Sequence, residues 1–279
     1  MNTDITGHAP LSLADCLTPN WPVAARVRIL FTTRAGGVSA PPYGLVQNGT
    51  ESAGGLNLGL HTGDEAACVA ENRKRLATLT GTHIAWLEQV HKADVIRAEI
   101  AINARNPSHA DASVTAQPGI ACAIMTADCL PVLICDHAGR AVGAAHAGWR
   151  GLAAGVLERT AAAVAALTSP YEELYAFLGP AIGPRTFEVG DDVRNTFLTM
   201  ATAAESSATA AAFRPCPHLS GKYWADLFEL ARLRLIRAGI KQISGGAWCT
   251  ASDPTHFYSY RRQSLTGRQA ALIWLEHPS

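Results

Sequence analysis

The stretch Asp128–Gly151, DCLPVLICDHAGRAVGAAHAGWRG, reads as two apolar strands around a short polar turn. Pro131–Cys135 and Ala141–Ala145 are apolar throughout, and Asp136-His137-Ala138-Gly139-Arg140 between them holds the glycine that a tight turn uses at positive φ. Runs that are apolar at every position predict strands covered on both faces. The same stretch also carries cysteines, histidines, aspartates and arginines, which are costly to bury without partners. A turn centred between His137 and Ala138 sets Cys129 directly against His146, and opposed residues share a face with Cβ atoms about 4.5–5.5 Å apart. The thiol and the imidazole then project together at the open end of the hairpin, whereas a one-residue slip separates them. Such a pair can ligate a metal or act as a thiolate–imidazolium nucleophile. On spacing alone it is equally a buried thiol beside a hydrogen-bonded core histidine.

The neighbours of this pair add chemistry. Asp128 immediately precedes the cysteine, and Gly148-Trp149-Arg150-Gly151 leads into a helix from Leu152, so helix-end amides and a guanidinium are expected at one spot suited to phosphate. A third nitrogen is best supplied by His91, in Gln89-Val90-His91, with His61 second. Three protein ligands leave zinc an open position, which is the catalytic pattern. Arg34 enters a Gly-rich loop from which it reaches a ligand or solvent. Arg73 is expected on the exposed face of the first helix. Tyr258, Tyr260, Arg261 and Arg262 stack on a flat ring or pack a strand edge.

Outward from the hairpin, residues 1–20 read as a flexible lead-in and 21–279 as a single catalytic domain. A strand is expected over Arg26–Phe31, an exposed polar loop over Gly44–Gly55, and a helix capped by Asp64 running to about Leu79. Short β-prone runs cover His83–Leu87, Ala93–Ala98, Ala110–Thr115 and Ile120–Thr126. Beyond Gly151 come a helix to about Leu167, a strand at Leu174–Leu178 and a short helix from Asp191. A low-complexity surface segment follows at 201–212. A helix over Lys222–Ala238 and strands near Ile243–Trp248 and Gln269–Trp274 complete the chain. Roughly ten short strands and four helices without strict alternation predict an α+β (mixed α/β) fold rather than a Rossmann fold.

Composition narrows the function. The 279 residues carry 23 Lys plus Arg against 23 Asp plus Glu, with no basic run to track phosphate backbones, so nucleic acid is not the expected partner. The start, MNTDITGHAP, has neither a basic nor an apolar leader segment, and the longest apolar run is interrupted by Asp128; a cytoplasmic protein without membrane association is expected. Seven scattered cysteines without a CxxC pattern suit reduced thiols.

Taken together, Thr126-Ala127-Asp128-Cys129-Leu130-Pro131, Ala145-His146-Ala147-Gly148-Trp149-Arg150-Gly151, Gln89-Val90-His91, Leu56-Asn57-Leu58-Gly59, Glu71-Asn72-Arg73, Gly179-Pro180 with Ile182-Gly183, and Cys249-Thr250 followed by Phe257-Tyr258-Ser259-Tyr260-Arg261-Arg262 resemble the laccase-domain family. That family was long described as multicopper polyphenol oxidase and is now regarded as purine nucleoside phosphorylase. The resemblance runs from about Arg26 to Leu275 and implies a layered domain of two mixed β-sheets flanked by helices. It also implies zinc, with copper as an alternative, held by His91, Cys129 and His146. Its substrates would be adenosine, inosine and 5′-methylthioadenosine with phosphate, and adenosine deamination a companion activity. Cys129, Asp128 and Arg150 are then expected to be catalytic, with phosphate steered by Arg150 and a proton shuttled by Asp128. Arg34, Asn57 and Arg262 are expected to contact substrate, and the chain to be a monomer or homodimer. The Tyr43–Leu56 segment is longer than the family pattern.

Three rival functions remain. A polyphenol oxidase needs many copper-binding histidines, typically with His-x-His pairs, and the chain has none of these pairs. A cysteine hydrolase would use Cys129 as nucleophile and His146 as base. A zinc-stabilised binding protein would need no chemistry at all.

Overall fold

The computed structural model describes residues 9–168, 173–217 and 219–277. The hairpin forms as strands Leu130–Asp136 and Val142–Ala147, buried throughout. Its register differs from the expected one by two residues: Pro131 faces His146 and Leu130 faces Ala147. The turn explains the shift. The buried Asp136 carboxylate accepts the amides of Arg140 (2.6 Å) and Ala141 (2.8 Å), and the Asp136 amide donates to the Ala141 carbonyl. These bonds centre the loop between Ala138 and Gly139 instead of one residue earlier. A two-residue slip preserves the face on which each side chain lies, so Cys129 and His146 remain on one side.

Two mixed sheets organise the molecule. The first has the order Cys16–Leu17, Val27–Thr32, Gln269–Leu275, Ile120–Thr126, His83–Ala85; the second runs Gln242–Gly245, Leu174–Leu178, Leu130–Asp136, Val142–Ala147, Ala112–Thr115, Val95–Arg97. Centres are antiparallel, while the edge pairs Ile120–Thr126 with His83–Ala85, Leu174–Leu178 with Gln242–Gly245, and Ala112–Thr115 with Val95–Arg97 are parallel. The sheets pack face to face through Phe31, Ile124, Leu133, Val142, Phe177 and Ile273. Helices Val156–Ala165 and Leu227–Arg237 cover the other face of the second sheet, and helix Ala66–Thr80 that of the first. Along Leu130–Asp136, Leu133 and Cys135 face the other sheet while Val132 and Ile134 face the helices, which is why the run is apolar at every position.

Several segments depart from their sequence expectations for local reasons. Residues 9–20 are tied into the first sheet, where Cys16 and Leu17 pair with Thr32 and Phe31; residues 1–8 lie outside the described residues. The 44–55 segment is a hairpin, Leu45–Gln47 with Thr50–Ser52, turned by Asn48 and Gly49, both at positive φ. Within 201–212, Ser206–Ala211 is helical and buries Thr209. Asp226 caps the helix Leu227–Arg237 by accepting the Glu229 amide, which leaves Lys222–Ala225 as a strand of a small three-stranded sheet. Among the described residues, no helix is long and apolar enough to cross a membrane.

The sheet-to-sheet packing sets stability. Leu133→Ala should lower the unfolding free energy by about 2–5 kcal/mol, read as a reduced urea midpoint at unchanged slope.

Candidate metal centre

The chain passes from the first sheet to the second through Ala127-Asp128-Cys129, and this crossover makes the site. Asp128 adopts φ 99°, a conformation unfavourable for a side chain with a Cβ, and its contacts hold it there. Its carboxylate accepts the Thr250 hydroxyl (2.6 Å) and the Arg261 amide (2.7 Å), and its carbonyl accepts the Ile182 amide. The sharp bend brings Cys129 back over the hairpin beside His146. By register the residue across from Cys129 is Gly148, where an added Cβ would lie 2.7 Å from Sγ and 3.6 Å from His146 Nε2. A glycine is therefore the condition for thiol and imidazole to meet.

His91 completes the cluster. The ligating atoms of His91, Cys129 and His146 all lie within 4.8 Å of one another, and the two imidazoles are edge to face at 4.7 Å. His146 is buried, Cys129 half-buried and His91 exposed. Among the described residues this is the only such three-donor group. His61, the second candidate, lines the same cavity but is not in the cluster.

One residue that the sequence reading did not single out holds the centre together. Asp111 is fully buried, and its carboxylate accepts three successive amides, those of Val90 (3.2 Å), His91 (2.8 Å) and Lys92 (2.7 Å). His91 takes φ 59°, so that consecutive N–H groups turn inward as an anion-binding nest. The same carboxylate receives His146 Nδ1 at 2.8 Å, which leaves Nε2 directed at the thiol and at any ion. Burial alone would raise the Asp111 carboxyl, but the His146 hydrogen bond and charge and the loop amides hold it below the usual carboxylate range. Burial likewise opposes charge on Cys129 and His146. Their mutual attraction outweighs it, aided by His91 on the thiol and Asp111 on the imidazole, so the thiol is lowered and the imidazole raised. The sequence signal was a lone charged residue in the β-prone run Ala110–Thr115, ADASVT.

The cluster forms part of the floor of a cavity of about 660 Å³. Leu60, Trp86, Leu87, Pro107, Met125 and Tyr260 supply apolar wall, and His61, Arg73, Gln89 and Arg268 supply polar groups. Gln89 clips the ligand loop to the first sheet, donating to the Met125 carbonyl and accepting the Met125 amide, each at 2.8 Å. Arg73 is not on an open helix face. Its guanidinium stacks over Trp86 at 4.3 Å because the sheet end supplies a wall that helix periodicity alone does not reveal.

The other expected site residues stand outside this lining. Arg150 is exposed and stacks on Trp149, on a helix of only five residues, Trp149–Ala153. Asp128 is engaged as above. Arg34 is buried, donating to the Gly44 and Pro254 carbonyls over the Tyr258 ring. Arg262 binds the carbonyls of Thr250, Ala251 and Phe257. Asn57 donates to Thr62 and Asp64 and accepts the amides of Gly59 and Arg268. These residues brace the loops around the cavity.

The family described as multi-copper polyphenol oxidoreductase laccase matches residues 28–276. The chain belongs to this family. A Pseudomonas aeruginosa relative named purine nucleoside phosphorylase is 50% identical over 260 residues, covering 93% of this chain and 98% of its own. The Escherichia coli purine nucleoside phosphorylase YfiH is 46% identical over 265 residues, 94% of this chain and all of its own (100%). Among solved structures, a Neisseria meningitidis protein superposes with a TM-score of 0.82 at 47% identity, covering 94% of this chain and 100% of that one. Geobacillus stearothermophilus YlmD gives 0.80 at 31% identity, covering 94% and 97%. The two-sheet layered fold is thus that of the laccase-domain family.

Two substitutions test the geometry of the centre. Asp111→Asn should weaken binding of a divalent metal at this group by about 10–100-fold in a chelator competition with zinc as the probe ion, since it removes the charge that orients His146. Gly148→Ala is admissible by backbone, at φ −57°, and should displace Cys129, costing about 1–3 kcal/mol of stability and lowering the metal bound after loading with zinc.

Proposed function

We propose that this chain is a zinc-dependent purine nucleoside phosphorylase of the cytoplasm, taking adenosine, inosine or 5′-methylthioadenosine with phosphate to the purine base and a ribose 1-phosphate. The observation that carries this is one thiol and two imidazoles converging beneath an apolar-walled cavity, in a chain whose close relatives are named for phosphorolysis.

The donor set fits the ion. A thiolate with two neutral imidazoles is a zinc-type set, and three ligands beside an open cavity match catalytic rather than structural sites. Zinc, when bound by His91, Cys129 and His146, supplies Lewis-acid stabilisation of charge that develops as the glycosidic bond breaks. Asp111 fixes the orientation of His146 and of the loop bearing His91. Trp86 and Tyr260 offer flat aromatic surface for a purine ring, and Met125 adds apolar contact beside them. Adenosine deamination is retained as a companion activity. Its proton carrier would be a cavity-facing group such as Glu88, because both carboxylate oxygens of Asp128 are occupied by Thr250 and Arg261.

The family's descriptive name does not carry over as an activity. Multicopper oxidation relies on several copper ions in imidazole-rich clusters, against one three-donor group among the described residues, although a Cys-His-His set also accepts copper. A Cys129 hydrolase is separated by a metal assay.

Zinc-loaded protein incubated with adenosine or inosine and phosphate should release purine and ribose 1-phosphate. Cys129→Ala should lose stoichiometric zinc, and its turnover should fall by more than the ~10–100-fold typical of an outer partner. Full activity without metal, with iodoacetamide trapping Cys129 covalently, would establish the hydrolase instead.

A further inference from the structure

The motifs Leu56-Asn57-Leu58-Gly59 and Glu71-Asn72-Arg73 are not used by the metal centre, yet they meet at the cavity. The Leu58 carbonyl accepts Arg73 Nε at 2.9 Å, and the Leu58 amide donates to the Arg268 carbonyl at 3.1 Å. The Asn57 side chain accepts the Arg268 amide at 2.9 Å. At Gly59 an added Cβ would lie 2.8 Å from Arg268 Cγ, so the stem of Arg268 passes close against glycine. One short segment thereby fixes two arginines, far apart in sequence, on the lining of the same cavity.

Neither guanidinium has an ion-pair partner among the described residues, whereas Arg75, two positions along the same helix as Arg73, pairs with Glu71. The negative charges that act on Arg268, those of Cys129 and then Asp128, do so without direct contact. Glu88, the one carboxylate on the cavity lining, is 3.0 Å from His109. Arg73 uses Nε and Nη2 on the Leu58 carbonyl and the Met125 sulfur, and Arg268 uses Nη1 on the Thr266 and Gly267 carbonyls. The remaining N–H groups, Nη1 of Arg73 and Nε and Nη2 of Arg268, have no protein acceptor among the described residues. Burial lowers both guanidiniums, Arg73 to about 10, because removal from water disfavours the charged form. His61 reports their placement: burial, then the charge of Arg268 and of Arg73, pushes its imidazole down.

We propose that Arg73 and Arg268 form the subsite for free inorganic phosphate, beside the His91–Cys129–His146 cluster, in place of the exposed Arg150. Desolvated cations held apart from carboxylates are stabilised by a multivalent oxyanion, and guanidinium forks suit its oxygens. The identity of the anion as co-substrate rests on the phosphorylase reading; the existence of the subsite does not.

Calorimetric titration of inorganic phosphate into the zinc-loaded protein tests this, with 5′-AMP as the second ligand. Wild type should bind phosphate without nucleoside. Arg268→Met should weaken that binding about tenfold or more and raise the phosphate KM similarly, while the Kd for inosine measured without phosphate stays within about threefold. Arg73→Lys, which keeps charge but loses the fork, should show a smaller loss than Arg73→Met. Because Arg73→Met also removes the Leu58 and Trp86 contacts, wild type is also treated with phenylglyoxal. Phosphate should protect Arg73 and Arg268, mapped by mass spectrometry, and leave Arg150 reactive. Phosphate binding that survives both arginine changes, protection of Arg150 instead, or binding of 5′-AMP alone would overturn the assignment. Arginine-dependent phosphate binding without ribose 1-phosphate formation would support the subsite and count only against the phosphorylase reading.

Discussion

The buried carboxylate of Asp111 is the constraint on which the site depends. In a low-dielectric interior an uncompensated carboxylate is costly, and this one is compensated by three loop amides and one imidazole. Two of the three metal donors are therefore positioned by the same group that folding must satisfy. The ligand loop and the His146 strand cannot separate without exposing or orphaning that charge. The centre is in this sense preorganised by the fold, before an ion supplies any of its own binding energy.

Around that hub the two sheets divide the labour. The second sheet carries His146 on its central hairpin, and the first ends in Met125 and Thr126, which with Trp86 and Leu87 form one wall of the cavity. Cys129 belongs to the crossover between the sheets, where Asp128 accepts an unfavourable backbone conformation in return for contacts with Thr250 and Arg261. The C-terminal Thr250–Arg268 region, remote in sequence, is thus coupled to the thiol. The cavity consequently combines a Cys-His-His donor group, the aromatic side chains of Trp86 and Tyr260, and the cationic side chains of Arg73 and Arg268.

What was legible in the sequence was local. The continuous apolar strands, the Gly139 turn and the shared face of Cys129 and His146 follow from spacing, and the last survives the register shift because that shift is even. Even the 44–55 hairpin was signalled by Asn48-Gly49. Arg150 looked well placed because it is near His146 in sequence, but its helix turns it toward Trp149 and solvent. Arg73 looked exposed because helical periodicity says nothing about a wall supplied by Trp86 and Met125. Asp128 and Asn57 were recognised as special, yet their side chains act on backbone and loops, and the partners that reveal this are distant in sequence. Asp111 could have been flagged as the one charged residue of a β-prone run; Arg268 carried no comparable signal.

Whether His91, Cys129 and His146, held by Asp111, bind zinc as one centre is decided by X-ray absorption at the zinc edge on stoichiometrically loaded protein. The ion's nearest neighbours should be one sulfur at about 2.3 Å and two nitrogens at about 2.0–2.1 Å, with the sulfur contribution lost in Cys129→Ser. A shell of nitrogen and oxygen alone in the unsubstituted protein, or a sulfur signal that persists without Cys129, would contradict this set of ligands.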